Sequence, residues 1–169
     1  MSDFHAVICG GGVASAEALL RLRRLAGDSL RTTLIAPNDE LIYRPLAVEE
    51  PFAKPGIRRY PLEKLVKDTG AEWVRDALDH VDLEARSVSS AGGQHVEFDA
   101  LLLAVGARLS KPFPYSDVFT DAQADDAMHG LLQDIEGGYT RSVAFIQPEG
   151  PAWPLPLYEL ALMTSERAR

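Results

Sequence analysis

A single cysteine, Cys9, occurs in 169 residues, so the chain cannot close a disulfide on itself. Scarce thiols suit a reducing compartment, and a cytoplasmic location is expected. The N-terminus lacks the charged-then-apolar layout of a secretion signal. No apolar run nears the ~20 residues that cross a bilayer. The longest candidates, near Ala100–Ala104 and Leu157–Met163, have the lengths of a core strand and a helix, which leaves contact with a membrane surface open. Basic charge is also in deficit. Lys and Arg number 17 against 25 Asp and Glu, a net charge of −8. This argues against general nucleic-acid binding, because no basic field is available to displace counterions from phosphate. Arg21, Arg23 and Arg24 read as the wet face of a helix. The four histidines, His5, His80, His95 and His129, are scattered and none pairs with acidic or cysteine residues at ligand spacing, so no metal site is expected.

What remains is a soluble α/β pattern. His5–Cys9 is a short apolar run that meets three glycines, the signature of a buried strand entering a tight turn. Val13 to Leu25 follows with Ala14, Ala18, Leu19, Leu22 and Leu25 at helical spacing, and Gly27 stops it. Thr32–Ala36 predicts a second strand, closed by Pro37. Together these make a βαβ unit of about thirty residues, which favours a parallel pair. Leu41 to Tyr60 reads as an ordered excursion carrying Ile42, Tyr43, Leu46, Val48 and Phe52. Pro61 opens a short helix with Leu62, Leu65 and Val66 on one side. Glu72–Val81, Ser87–Ser89 and His95–Phe98 are expected as strands, with Ala91–Gly93 as a turn. Ala100–Ala104 is apolar throughout, as in a sheet covered on both faces. Pro112 and Pro114 mark a loop. Asp121 to Ile135 predicts a helix capped by Asp121. Arg141–Gln147 predicts another strand, Glu149–Pro156 a proline-rich turn, and Leu157–Ala168 a closing helix.

The residues that carry chemistry are Gly10-Gly11-Gly12-Val13-Ala14-Ser15, placed where a strand becomes a helix. Their first and third positions fit the phosphate fingerprint G-x-G-x-x-G/A. There the first glycine makes the turn and the second lets the backbone approach a diphosphate. The helix N-terminus adds amide donors and partial positive charge. Ser15 stands where a third glycine or an alanine brings helix and sheet together. The acidic residue that ordinarily ends the second strand and binds a ribose hydroxyl is replaced by Ala36. Asn38 or Asp39 could reach the ribose instead, and Arg44 raises the thought of a 2′-phosphate. The fingerprint alone thus leaves FAD and NAD open.

The run Ala6–Ser15, then Thr33–Pro37, then Ile42-Tyr-Arg-Pro-Leu46, resembles the start of the FAD-dependent pyridine nucleotide-disulfide oxidoreductase superfamily. It is most similar to the branch of type II NADH dehydrogenases and sulfide:quinone reductases. Leu103-Ala-Val-Gly-Ala107 resembles that superfamily's Ala-Thr-Gly strand end, with Val105 where threonine is common. The resemblance implies a Rossmann-like FAD-binding domain over residues 1–115, a parallel sheet flanked by helices with a small antiparallel β-meander. Residues 116–169 would begin a second, NAD(P)-binding-like domain. It implies FAD as cofactor, with Gly10, Gly12, Val13, Ala14 and Ser15 at the diphosphate. Pro37 and Asn38 would flank the adenosine ribose, and the Leu78 backbone would lie beside the adenine. Arg44 and Pro45 would sit near the flavin, and Ala104 and Gly106 would close the groove.

The expected second nucleotide turn, Gln147–Pro156, holds one glycine and four prolines. Proline has no amide hydrogen, so this turn cannot ring a diphosphate with donors, and NAD(P)H binding is doubtful. Pro154-Leu-Pro-Leu-Tyr-Glu159 is similar to a stretch in the sulfide-oxidising relatives, but no catalytic cysteine stands beside it. The C-x-x-x-x-C dithiol of the disulfide reductases is absent too. Trp153 and Tyr158 suit flavin, core or interface packing equally. The expectation is an FAD-dependent oxidoreductase of unknown donor and acceptor, with no identifiable catalytic residue, present as the front part of a longer protein. A homodimer through the incomplete second domain is a further expectation. The alternative is a non-catalytic nucleotide-binding module with a degenerate site.

Overall fold

All five residues of the first strand, β1 (His5–Cys9), are buried. Alternate side chains serve opposite faces of the sheet, and both faces of β1 are covered. The computed structural model describes residues 4–52, 58–107, 113–119, 124–149 and 153–169. These fall into two compact units, one of Met1–Ile42 and Arg59–Ala107, the other of Tyr43–Arg58 and Arg108–Arg169.

In the first unit β1 leads through helix α1 (Val13–Ala26) to β2 (Arg31–Ile35). Gly27 ends α1 with φ 58° and its amide returns to the Arg23 carbonyl, the glycine stop that the sequence predicts. Strand β3 (Glu40–Tyr43) pairs with β4 (Arg58–Pro61), and α2 (Leu62–Thr69) follows directly. A 3₁₀ segment spans Arg44–Phe52. Then come β5 (Glu72–Val74), β6 (Leu78–Asp82), β7 (Ser87–Ser90), β8 (His95–Glu97) and β9 (Ala100–Leu103). The main sheet has the order β5-β2-β1-β9, all parallel, and β6-β7-β8 form a separate antiparallel meander. This is the Rossmann-like arrangement expected.

The pleat divides the core. Ile8, Leu34 and Ala36 meet Leu19 of α1 and Leu62 and Val66 of α2 on one face. Val7, Cys9 and Ile35 meet Val74 and Val88 on the other, with Leu78, Val81 and Val96 of the meander packed around them. The apolar stripe of α1 is narrower than its periodicity suggests: Leu19 is buried, whereas Leu25 is exposed. At the N-terminal edge of the sheet, the buried His5 ring meets Thr33 Oγ1 at 2.8 Å, and Arg31 holds Glu72 through both guanidinium arms.

Three expectations are corrected. Glu72–Val81 is not one strand: β5 belongs to the parallel sheet and β6 to the meander. The chain changes sheet at Arg75–Ala77, where the Asp76 carboxylate accepts the amides of Ala77 (2.8 Å) and Gly92 (2.6 Å) and so ties the break to the β7–β8 turn. Ala100–Ala104 is not covered on both faces. β9 is the last strand of its sheet, and Leu102 and Leu103 stand 42% and 55% exposed. Beside it, under α1, lies a hollow of ≈ 340 Å³ lined by Phe4, Ala18, Leu22, Leu30 and Leu102 among others. Arg141–Gln147 forms no strand. Among the described residues no strand pairs with it, and it is exposed apart from Phe145.

In the second unit, helices α3 (Ala124–Glu136) and α4 (Leu155–Arg167) share a core with the 3₁₀ segment, where Val48, Met128 and Leu160 are buried and Phe52, Phe119 and Met163 pack around them. Arg167 of α4 binds Glu136 of α3 at 2.5 Å. The expected cap Asp121, the loop residue Pro112 and residues 150–152 of the proline turn lie outside the described residues.

Candidate functional site

Strand register builds the site. Cys9 is level with Ile35 on one side and Leu103 on the other, and Ile35 is level with Val74. The next residue of each strand therefore forms one row along the C-terminal edge of the sheet: Arg75, Ala36, Gly10, Ala104. Amide bonds hold that row, from Gly10 to the Ile35 carbonyl (2.8 Å), Ala36 to Val74 (3.0 Å) and Ala104 to Cys9 (2.8 Å). Open α/β sheets bind ligands at this edge, where successive connections leave in opposite directions. Here β2 lies to one side of β1 and β9 to the other.

Gly10 is required at its place twice over. Its φ is +122°, and a Cβ there would come within 2.1 Å of the Ala104 carbonyl oxygen. Gly11 was not among the candidate residues, yet a Cβ on it would press on Leu62 (3.0 Å) and on Ala36 (3.3 Å). The run of three glycines was the available signal. Gly12 differs from both, since a Cβ there would meet nothing within 4 Å. It is the N-cap of α1, with extended backbone, no side-chain cap and no acidic residue in the first turn. The first intrahelical bond returns from Ala16 to the Gly12 carbonyl (3.1 Å), so the amides of Val13, Ala14 and Ser15 precede the helix ladder. Val13 and Ala14 are exposed. Ser15 is buried, and its Oγ finds no hydrogen-bond partner among the described residues. An uncapped helix start facing open space suits an anion such as a diphosphate.

Pro37 and Asn38 are exposed just beyond β2, and the Asn38 Cβ lies 3.9 Å from the point where a Gly11 Cβ would stand. Thus Gly10, Gly12, Val13, Ala14, Ser15, Pro37, Asn38 and Ala104 converge on one corner. Gly106, with φ +78°, follows two residues past Ala104, with Val105 62% exposed between them. Leu78 is half-buried at the start of β6, opposite Ser90, in the meander rather than in the row. Arg44 and Pro45 open the 3₁₀ segment in the other unit, and their side chains are outside the described residues.

The row ends in a cluster that the motif did not single out. Trp73 donates its indole N–H to the Ala36 carbonyl (3.2 Å), and the Arg75 guanidinium lies 4.2 Å from the Trp73 ring centre. The same guanidinium faces Asp39 and Glu63, each at 3.8 Å. Trp73 and Arg75 are two apart at the end of a strand, a spacing that puts two side chains on one face and was readable in advance. Cys9 ends β1 buried on the meander face, and burial pushes its thiol up to about 11. It is core, not an activated nucleophile.

Residues 4–138 match the family described as pyridine nucleotide-disulphide oxidoreductase. Over 110 residues, 62% of this chain, the sequence is 29% identical to a sulfide-quinone reductase of Aquifex aeolicus (strain VF5), and it spans 25% of that protein's length. The solved sulfide:quinone oxidoreductase from the same bacterium shares the fold with a TM-score of 0.70, at 23% identity over 79% of this chain and 32% of that one. NDH2 from Plasmodium falciparum shares it with a TM-score of 0.60, at 15% identity, covering 84% of this chain and 31% of that one.

Proposed function

The chain belongs to the pyridine nucleotide-disulphide oxidoreductase family, and from that premise we propose that it is the flavin-binding front part of an FAD-dependent oxidoreductase. The observation that carries this reading is the contrast between the first and third glycines of the corner. Gly10 is pressed against Ala104, so that β1 and β9 close together, whereas Gly12 has open space where its side chain would be. A corner closed behind and open in front, with helix amides at its lip, has the shape and polarity a dinucleotide diphosphate requires.

In this reading the amides of Gly12, Val13, Ala14 and Ser15 hold the diphosphate. Pro37 and Asn38 flank the ribose, the Leu78 backbone lies beside the adenine, and Ala104 and Gly106 close the groove. Arg44 and Pro45 serve the flavin end. FAD, when bound, supplies acceptance of a hydride or electrons from a donor and their release to an acceptor such as a quinone or a protein. The polypeptide contributes binding and exclusion of water, and the buried Cys9 takes no part in covalent chemistry. The FAD-binding domain is taken as 1–115, with a second nucleotide-binding-like domain beginning at 116–169. In that second part α4 starts at Leu155 behind Pro154, with no side-chain cap. Its entry is rich in proline and poor in amide donors, which argues against a standard NAD(P)H site. The location is taken as cytoplasmic, with contact at a membrane surface compatible with a quinone acceptor. Among the described residues no helix is long and apolar enough to cross a membrane. Leu155, Tyr158 and Leu162 form an exposed stripe on α4, which supports a homodimer through this part.

A second reading, a nucleotide-binding module without redox chemistry, draws on Ser15, Ala36 and Val105, each a departure from the fingerprint or the family pattern. Visible absorption separates the two. The flavin reading expects the chain, loaded with FAD and desalted, to keep a flavin spectrum, and expects NADH or NADPH to leave that flavin unbleached without oxygen. A colourless chain that binds ADP but no FAD would replace the first reading with the second.

A further inference from the structure

Three alanines leave a space between α1 and the sheet. Ala6 on β1 is level with Ala100 on β9, as Ile8 is with Leu102. All four side chains stand on one face, the face on which Ile8 packs with Leu19 of α1. The helix meets that face with Ala18. Where these three short side chains come together the packing fails to close, and the result is the hollow of ≈ 340 Å³. We propose that this hollow binds the chain of a single-chain amphiphilic carboxylate, a fatty-acid anion, and that Arg21 at its rim holds the headgroup.

Size, lining and charge carry the inference. The volume lies at the lower end of the about 300–1,000 Å³ typical of small-molecule sites, room for one acyl chain. Every lining side chain apart from Arg21 is hydrocarbon. Water in such a space finds few partners, and an apolar chain displaces it favourably. Phe4 and Leu102, at 50% and 42% exposure, are the large apolar walls that a bound chain covers. Arg21 follows Ala18 by one turn on the same side of α1, and it is exposed, so its charge stays in water at the mouth. Its surroundings differ from those of the next arginine. Arg23 is paired with Asp28, whereas Arg21 makes no ion pair among the described residues. A guanidinium meets a carboxylate through two parallel N–H donors. A cationic amphiphile is repelled there, and a plain alkane leaves the donors unused.

Place separates this site from the diphosphate corner. The hollow lies toward the start of β1, and Ala6 precedes Gly10 by about 13 Å of strand. Flavin and acyl chain are thus assigned to opposite ends of one strand, and neither reading depends on the other.

The test is calorimetric titration of the whole chain, below micelle-forming concentrations, with octanoate, decanoate, dodecanoate and neutral 1-decanol. Affinity is expected to rise about fourfold for each methylene buried and to level off once the hollow is full. Arg21→Gln is expected to weaken decanoate about two- to fivefold, the range of an exposed ion pair, and to leave 1-decanol unchanged. Ala18→Leu puts a branched side chain into the hollow and is expected to weaken every probe about tenfold or more, as burial of about two methylenes is lost. FAD retention is expected to match wild type in both variants. Should Ala18→Leu fail to fold, the chain-length series in wild type decides alone. Affinity that ignores chain length, decanoate binding that Ala18→Leu leaves intact, or no binding to wild type overturns the proposal. Binding that strengthens as the protein is diluted also overturns it, because a second copy then fills the hollow. Equal effects of Arg21→Gln on decanoate and 1-decanol overturn the headgroup assignment.

Discussion

Two stretches of this chain occupy equivalent places in a strand-turn-helix pattern, and they turn out differently. At Cys9–Val13 a fully buried strand runs into three glycines and an uncapped helix. At Arg141–Glu149 a largely exposed segment without strand pairing precedes Pro154 and α4. The first corner is supported by neighbours on both sides, because β2 and β9 each bond to β1. Glycine there has two jobs, close packing at Gly10 and open approach at Gly12. The second has few amides to offer, since Pro151, Pro154 and Pro156 supply none. An apolar sequence of strand length became a strand only where a partner edge existed to pair with it. A turn gains the shape of an anion site only where glycine lets the backbone close on one side and open on the other.

The largest effect expected at the first corner is from Gly10→Ala. A Cβ 2.1 Å from the Ala104 oxygen, at φ +122°, forces β1 and β9 apart. Loss of about 3–5 kcal/mol, in the range of exceptional single substitutions, is expected in chemical denaturation, with loss of flavin retention. A Gly10→Ala chain as stable as wild type would show that the corner is not closed in this way. Next is the contrast of cores. Leu34→Ala, at a fully buried site between sheet and helices, is expected to cost about 2–5 kcal/mol. Leu162→Ala, on the exposed face of α4, is expected to stay within about 0.5 kcal/mol at dilutions where the chain is a monomer. A cost that grows with protein concentration would mark the α4 stripe as the dimer face, and one as large as that of Leu34→Ala in the monomer would mean that the stripe is not exposed.

Gly12→Val sharpens the comparison of Gly12 with Gly10. With nothing within 4 Å of its Cβ, the fold should keep its melting temperature. The new methyls would stand where the diphosphate approaches, and FAD affinity in titration should fall at least about tenfold, a cost of about 1.4 kcal/mol. Unchanged FAD binding would move the ligand away from Gly12. The smallest effect concerns the opposite edge of the sheet. Burial, followed by the nearby Arg31 guanidinium, holds the His5 imidazole below its ordinary 6.5. The unfolded chain thus takes up this proton at a higher pH than the folded chain does. The His5 contribution is fully present above 6.5 and is lost as pH falls through the window below it. His5→Gln should flatten the melting temperature over that mildly acidic window, and a slope equal to wild type would assign it to other groups.

Much of the first unit was legible. β1 matched its apolar run, α1 began and ended at its glycines, and α2 started behind Pro61. Local chemistry decides such boundaries: glycine permits the conformations that stop a helix, and proline cannot continue one. The strand break at Arg75–Ala77 was not legible, because Glu72–Val81 alternates well enough for a single strand. It depends on Asp76 binding a turn sixteen residues away. The exposure of β9 was not legible either. Its leucines predict a covered strand, and only the sheet order puts them on an edge. Among site residues, Gly10 and Gly12 were readable as a motif, but not that one is packed and the other open. That difference lies in the distance to Ala104, ninety-four residues further along.

The amino-acid sequence alone determined the local vocabulary of this protein: which segments are apolar enough to be buried, where glycine and proline punctuate them, and a net charge of −8. The tertiary structure decided which residues share the row Arg75, Ala36, Gly10, Ala104. The reason is range. Propensity and periodicity act over a few residues and are written in order along the chain. Register between parallel strands is settled by packing on both faces of the sheet, among residues that the sequence keeps far apart.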